Sequence, residues 1–264
     1  MNRLFVFGLG YTASRIAGAL RARGWEVDAT GSAGTIAFDD RDTVTAALEK
    51  ADYILSSVPP SQDADPVLAA YAAALAGRTL GYLSSTGVYG DARGAWVDEA
   101  SPTGGGRRSA RSEADARWLD LGAHVFRLPG IYGPGRSAFD RVREGKAHRI
   151  DMPGQVFSRV HVDDIVSGVI AAIDGGSPRG AYNLADDLPA SGNAVIEEAC
   201  RLLYVEPPPL QTIEEAQLSA MARGFYAENR RVANGKAKRV LGWQPRFPTY
   251  REGLADIRVR ELRA

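Results

Sequence analysis

The stretch FGLGYTAS places Gly8 and Gly10 directly after a short apolar run, with Ala13 at the third small-residue position. A G-x-G-x-x-A spacing between a strand and a helix suits a dinucleotide. The first glycine permits a tight turn, the second lets backbone approach a pyrophosphate, and the small third residue lets the helix pack close to the strand. The cofactor-binding set read here is Gly8, Gly10, Tyr11, Thr12 and Ala13, with hydroxyl donors from Thr12 and Ser14 and Arg15 within reach of a phosphate. An acidic residue about 20 positions on would grip the adenosine ribose. Counting lands on Asp28, which is mid-strand in WEVDATGS, while the strand end holds Gly31 and Ser32. Neither repels a 2′-phosphate and neither is the arginine that would bind one, so the expected cofactor is NAD(P) with a slight lean to NADP. A second stretch, TGGGRRSARSEAD over residues 103–115, reads as a flexible linker, a phosphate-binding loop or the remnant of a catalytic motif.

The elements that must position these residues alternate. RLFVFGLG, WEVDAT, TIAF, DYILSSV, TLGYLSS and HVFRLPG read as strands. TASRIAGALRARG, DTVTAALEK, PVLAAYAAALAG and RSEADARWLDLG read as helices between them. Strands separated by helices of about ten residues predict parallel βαβ units with helices on both faces. Beyond Gly133 the rhythm loosens. A helix near Phe139–Glu144, strands near HRIDM, VFSRVHV and AYNLA, and a helix at DDIVSGVIAAI come next. The C-terminal part predicts helices near Asn193–Leu203, Ile213–Ala222, Gly235–Leu241 and Tyr250–Leu262, with a break at the prolines 207–209.

Composition narrows the function classes. The 32 Lys and Arg balance 32 Asp and Glu, so nothing points to nucleic acid or an anionic membrane surface. One cysteine, Cys200, and three scattered histidines predict neither an internal disulfide nor a His/Cys metal site. With no signal peptide and no apolar run of about 20 residues, a soluble cytoplasmic protein is expected.

Taken in order, FGLGYTAS, FDDRD, YLSSTGVYGD, RLPGIYGPGR, SRVHVDDIV, YNLADDLP and NRRVANGKAKRVLGWQP resemble the short-chain dehydrogenase/reductase superfamily over nearly the whole chain. The resemblance is to the extended nucleoside-diphosphate-sugar epimerase/dehydratase branch. It implies an α/β, Rossmann-type doubly wound parallel sheet of about seven strands with a small C-terminal α/β substrate lobe. The corresponding boundaries are 1–134 for the dinucleotide core, with 156–186 returning to it, and 135–155 plus 187–264 for the lobe. It further implies that Asp39 bonds the adenine amino group, that Ser57, Val58 and Pro59 line the riboses, and that Pro129 and Gly130 flank the nicotinamide. Ser85, with Thr86 beside it, matches the active-site hydroxyl. Each has a plainer reading: Asp39 or Ser85 as a cap, the others as ordinary turns. Tyr89 reads as a packing residue. His161, Asp163 and Asp164 read as structural, with an Asp capping the following helix.

The family's chemistry needs a Tyr-x-x-x-Lys pair on the helix after YLSSTGVYGD, where the lysine brings the tyrosine pKa down from about 10. No tyrosine lies between Tyr89 and Tyr132, and no lysine between Lys50 and Lys146. Sliding the pattern along RRSARSEAD puts Arg107 at the tyrosine, Arg111 at the lysine and Asp115 at the helix's usual acid. Arg107 keeps its proton and cannot act as a base, so it is left to bind an anionic substrate group. Arg111 is left to contact the cofactor. The glycines before them imply a loop free to move over the pocket. The asparagine expected near Gly130 and the arginine expected near Phe157, which would hold a nucleotide diphosphate, are absent, with Arg136 and Arg159 as substitutes. Proton donors to consider are Tyr132, Tyr89 and the Asp98–Glu99 loop. The expected activity is epimerase, dehydratase or oxidoreductase chemistry on a small carbonyl or sugar-type substrate with an anionic group. The alternative is a non-catalytic NAD(P)-binding sensor or scaffold. A homodimer is expected from the family alone.

Overall fold

The computed structural model describes residues 1–61, 64–106 and 109–263. β1 (Arg3–Phe7) leads into α1 (Tyr11–Arg21), β2 (Glu26–Ala29), α2 (Arg41–Lys50), β3 (Tyr53–Ser56), α3 (Pro66–Leu75) and β4 (Leu80–Ser85). A 3-10 turn over Thr86–Tyr89 and β5 (Trp96–Val97) precede α4 (Ser109–Asp120), β6 (His124–Leu128), β7 (Gly130–Tyr132), α5 (Ala138–Arg143) and β8 (Arg149–Ile150). Next come β9 (Arg159–His161), α6 (Val162–Asp174), β10 (Gly180–Asn183), α7 (Gly192–Leu203) and β11 (Leu210–Gln211). The chain ends with α8 (Ala220–Tyr226), β12 (Arg231–Val232), α9 (Gly235–Leu241) and α10 (Tyr250–Arg263).

Six strands form one parallel sheet in the order β10-β6-β4-β3-β1-β2. The chain moves outward from β1 to β2, then returns to lay β3 on the other side of β1. That reversal opens a crevice beyond the carboxyl ends of β1 and β3, where doubly wound sheets take ligands. Alternation along β1 feeds two cores. Leu4 and Val6 join Ala13, Ile16, Ala17 and Leu20 of α1, together with residues of α6 and α9. Phe5 and Phe7 join residues of α2, α3 and α4 on the opposite face. The α1 positions lie at i, i+3, i+4 and i+7, the spacing of a single buried stripe. A third cluster ties Tyr132 and Phe139 to α7 and α10.

The sheet thus has six strands where about seven were expected. The missing one is TIAF, which makes a single bridge from Ile36 to Thr30. A Cβ on Gly34 would overlap the Ala29 carbonyl oxygen, so the chain doubles back tightly against the end of β2 instead of running along the sheet. The helix expected over Ile213–Ala222 also starts late. Ser219 accepts from the Ala222 N–H and caps α8, and turns occupy the preceding residues.

The outer edge of β10 is occupied by side chains. Lys236 Nζ donates to the Ala181 carbonyl at 2.8 Å, and the Asn183 N–H donates to Glu99 Oε1 at 2.7 Å.

Candidate active site

Three chain segments meet at the crevice. Gly8 adopts φ +80°, which favours glycine, and a Cβ there would stand 2.8 Å from Val58 Cγ2. Ser57 Oγ donates to the Gly8 carbonyl at 2.5 Å, so the turn after β3 braces the turn after β1. On the other side, Leu9 N–H donates to the Thr30 carbonyl at 2.9 Å, and a Cβ on Gly31 would stand 2.9 Å from Leu9 N. Gly10, the N-cap of α1, differs: a Cβ added there meets no atom within 4 Å. The open space over Gly10, at the start of an 11-residue helix with no acid in its first turn, fits a pyrophosphate. Thr12 and Ala13 are buried beneath it.

Around this cradle, Ser32 and Asp39 are exposed beyond β2, Val58 is half-buried and Pro59 exposed after β3, and Pro129 is half-buried after β6. Asp40, not Asp39, caps α2, accepting from the Thr43 N–H at 3.2 Å, so Asp39 is spared that duty. Arg15 is already engaged. Its guanidinium lies 4.0 Å from the Tyr11 ring centroid and donates to the Pro134 carbonyl at 3.1 Å. The Tyr11 hydroxyl donates to the same carbonyl at 3.1 Å. Arg136 is exposed, its guanidinium 5.8 Å from the same ring.

Ser85 ends β4 half-buried, and its Oγ accepts from the Gly87 N–H at 3.1 Å. Among the described residues its own O–H has no acceptor. Thr86 is buried. The triple glycine corrects the expectation of a free loop. Gly104 N–H donates to the Val88 carbonyl at 2.9 Å, and a Cβ on Gly106 would overlap the Gly87 carbonyl oxygen. Backbone lies on backbone here, so residues 104–106 brace the turn that carries Ser85 and Thr86. Arg107 lies outside the described residues. Arg111 lies in the first turn of α4, four residues before Asp115.

Beneath that turn runs a buried polar network. Ser84 Oγ donates to Asp115 Oδ1 at 2.5 Å, and Arg127 pairs with Asp115 at 2.6 Å. Arg127 Nη1 donates to the Tyr89 hydroxyl at 3.0 Å, and that hydroxyl donates to Asn183 Oδ1 at 2.8 Å. Tyr89 is therefore a bonded member of this network as well as a packed ring. Burial pushes its pKa up, and burial does the same to Glu99. Burial opposes the Arg127 charge, but Asp115 more than offsets it and the pKa is raised. Tyr132 is buried, donates to the Thr249 carbonyl at 3.4 Å, and is also pushed up by burial. Both tyrosine hydroxyls are engaged with protein partners.

His161 rather than an Asp caps α6: its Nδ1 accepts from the Asp163 N–H at 3.2 Å. Its ring packs 4.2 Å from that of Phe247, and burial lowers its pKa to about 4. Asp164 accepts from the Arg246 and Phe247 N–H groups, and burial raises it to about 6. Arg159 is half-buried beside Gly130, with its Cγ 3.7 Å from where a Cβ on Gly130 would stand. Asp186, which the sequence reading passed over, is buried beside Arg159. Its only sequence signal is a pair of acids straight after a strand.

No family model matches the chain. The 3-diazoavenalumate denitrifying reductase of a Streptomyces species is 31% identical over 173 residues, covering 60% of this chain. The matched part is 55% of that relative's length, so the chain spans little more than half of it. Protein YeeZ of Escherichia coli K12 is 27% identical, with 94% of this chain and 97% of that protein covered. A functionally unknown conserved protein from Silicibacter pomeroyi superposes with a TM-score of 0.88 at 37% identity, covering 98% of this chain and 99% of its own. The human epimerase family protein SDR39U1, solved with NADPH, gives 0.77 at 18% identity, with 97% and 99% covered. The dTDP-glucose 4,6-dehydratase of Bacillus anthracis, in complex with NAD, gives 0.76 at 16% identity, with 100% and 97% covered. At 16–18% identity these last two show a shared fold.

Proposed function

We propose that the chain is an atypical member of the extended epimerase/dehydratase branch of the short-chain dehydrogenase/reductase superfamily, and that it binds NAD(P) and acts on a small carbonyl or sugar-type substrate without a Tyr-x-x-x-Lys pair. One observation carries this reading: the loop from Gly8 to Ala13 is braced on both sides at the sheet's reversal point, yet it leaves Gly10 open. Backbone of this loop would hold the pyrophosphate, with Asp39 toward the adenine and Ser57, Val58 and Pro59 along the riboses. Pro129 and Arg111 would face the nicotinamide half. A bound nicotinamide supplies hydride transfer, and Ser85, whose O–H has no acceptor among the described residues, would orient the substrate oxygen. Gly31 and Ser32 present no carboxylate to a 2′-phosphate, which favours NADP.

A second reading, a non-catalytic NAD(P) sensor, draws on the engagement of Tyr89 and Tyr132 in internal hydrogen bonds. Thermal-shift titration with NAD, NADP and their reduced forms tests the shared premise, and no shift with any of the four overturns both readings. Bound cofactor that never exchanges label at the nicotinamide C4 across a panel of carbonyl compounds favours the sensor.

A further inference from the structure

Asp186 is 2% exposed, and neither carboxyl oxygen makes a well-formed hydrogen bond among the described residues. Buried polar atoms are rarely left this way. Its backbone is fixed, because the Asp186 N–H donates to the Arg159 carbonyl at 2.7 Å. The charge of Arg159 acts on the carboxyl, yet among the described residues no hydrogen bond joins the two side chains.

Arg159 has capacity to spare. Its Nη1 donates to the Phe157 and Ala190 carbonyls, both at 2.8 Å, and Nη2 donates to the Ser191 carbonyl at 3.4 Å. A guanidinium has five N–H donors, so among the described residues the Nε–H and one Nη2–H are left without an acceptor. Strand registers bring this pair to the candidate active site. Ser85 pairs with Leu128, Gly130 two residues on pairs with Arg159, and Arg159 holds Asp186.

We propose that Arg159 and Asp186 together form a receptor for an oxyanion of the substrate, a carboxylate or a phosphate, that stands beyond Ser85. This rests on the reading of the crevice as an NAD(P) and substrate site. The groups acting on Asp186 are Arg159 from β9, Asp187 from its own loop and Tyr132 from β7, with the Leu188 and Arg159 N–H groups toward it. Burial outweighs them and lifts its pKa to about 8. At neutral pH the carboxyl therefore keeps its proton. In that form it does not repel an anion, and Arg159 supplies the positive charge. Once Asp186 ionises, it competes with the ligand for Arg159, so anion affinity falls as pH rises through about 8.

Calorimetric titration of the full chain with benzoate and, separately, with inorganic phosphate at pH 7.5 and 9 tests this. At least one anion should bind saturably at millimolar concentration and weaken by about tenfold between the two pH values. The arm that binds identifies the group. Asp186→Asn should bind at pH 7.5 and lose the pH slope, and Arg159→Gln should lose binding. Because Arg159 also holds three carbonyls, the Asp186→Asn profile stands on its own if the arginine variant does not fold. Failure of both anions to bind, or a slope that survives in Asp186→Asn, overturns the proposal. Fluorescence titration of the same samples with NADPH separates the two readings. NADPH binding without anion binding removes only the receptor, whereas anion binding without NADPH binding removes the cofactor reading.

Discussion

A Cβ on Gly106 would overlap the carbonyl oxygen of Gly87, so the segment expected to carry a catalytic pair instead rests on the turn carrying Ser85. Gly106→Ala should force the two backbones apart and destabilise the protein by about 1–3 kcal/mol, the usual range for overpacking. At Gly105 an added Cβ lies 3.6 Å from the Tyr89 carbonyl, an ordinary contact, so Gly105→Ala should change little. Urea unfolding of the two variants side by side checks the difference, and equal midpoints would refute the packing role.

Asp115 is the counter-charge to Arg127 in a site closed to water. Asp115→Ala leaves the guanidinium buried without its partner and should cost about 3–5 kcal/mol. The same substitution frees the Ser84 hydroxyl and loosens the tie between α4 and β4. Chemical denaturation gives the stability loss, and a midpoint matching wild type would mean that Arg127 finds another acceptor.

Gly8 and Gly10 should respond differently to the same methyl group. Gly8→Ala meets a positive φ and Val58, so it lowers stability. Gly10→Ala meets open space at φ −96° and should leave stability within about 0.5 kcal/mol. It should still weaken NADPH binding by about tenfold or more, because the methyl enters the space left for the pyrophosphate. Thermal unfolding and NADPH fluorescence read the two effects separately. Unchanged affinity in Gly10→Ala would place the dinucleotide elsewhere.

The acid side of the stability curve should carry a His161 signature. The unfolded imidazole titrates near 6.5, whereas the buried ring takes a proton only near 4. Between those values the unfolded chain binds more protons, so the His161 contribution is complete above pH 6.5 and is lost as pH falls toward 4. Asp164, raised to about 6, works in the opposite direction over much of the same range. The comparison with His161→Asn isolates the histidine, since Asn retains a cap acceptor and does not titrate. Wild type should lose stability relative to the variant by up to about 1.4 kcal/mol per pH unit in that window. Parallel curves would show that the ring does not titrate on unfolding.

Local signals in the sequence were enough for α1, whose stripe of Ala13, Ile16, Ala17 and Leu20 follows the glycine turn that starts it. The parallel sheet was legible for the same reason, since each strand is a short apolar run closed by turn residues. TIAF misleads because a β-branched and aromatic run resembles a buried strand, while the close approach of Gly34 to Ala29 is invisible in one dimension. The glycines at 104–106 suggest mobility for a similar reason: their partners at 87–90 lie earlier in the chain. Asp186 is the clearest omission. Its burial and its neighbour Arg159 depend on how β9 returns beside the end of β10, and no spacing in YNLADD reports that.

With Ala181 and Asn183 already bonded to Lys236 and Glu99, β10 offers an incoming strand neither that carbonyl nor that N–H. Extending the sheet from this side would require removing an ammonium and a carboxylate from their bonds, at a cost that one new ladder bond does not recover. Growth of the sheet into a neighbouring chain therefore stops at this edge, so assembly and aggregation alike must use other surfaces.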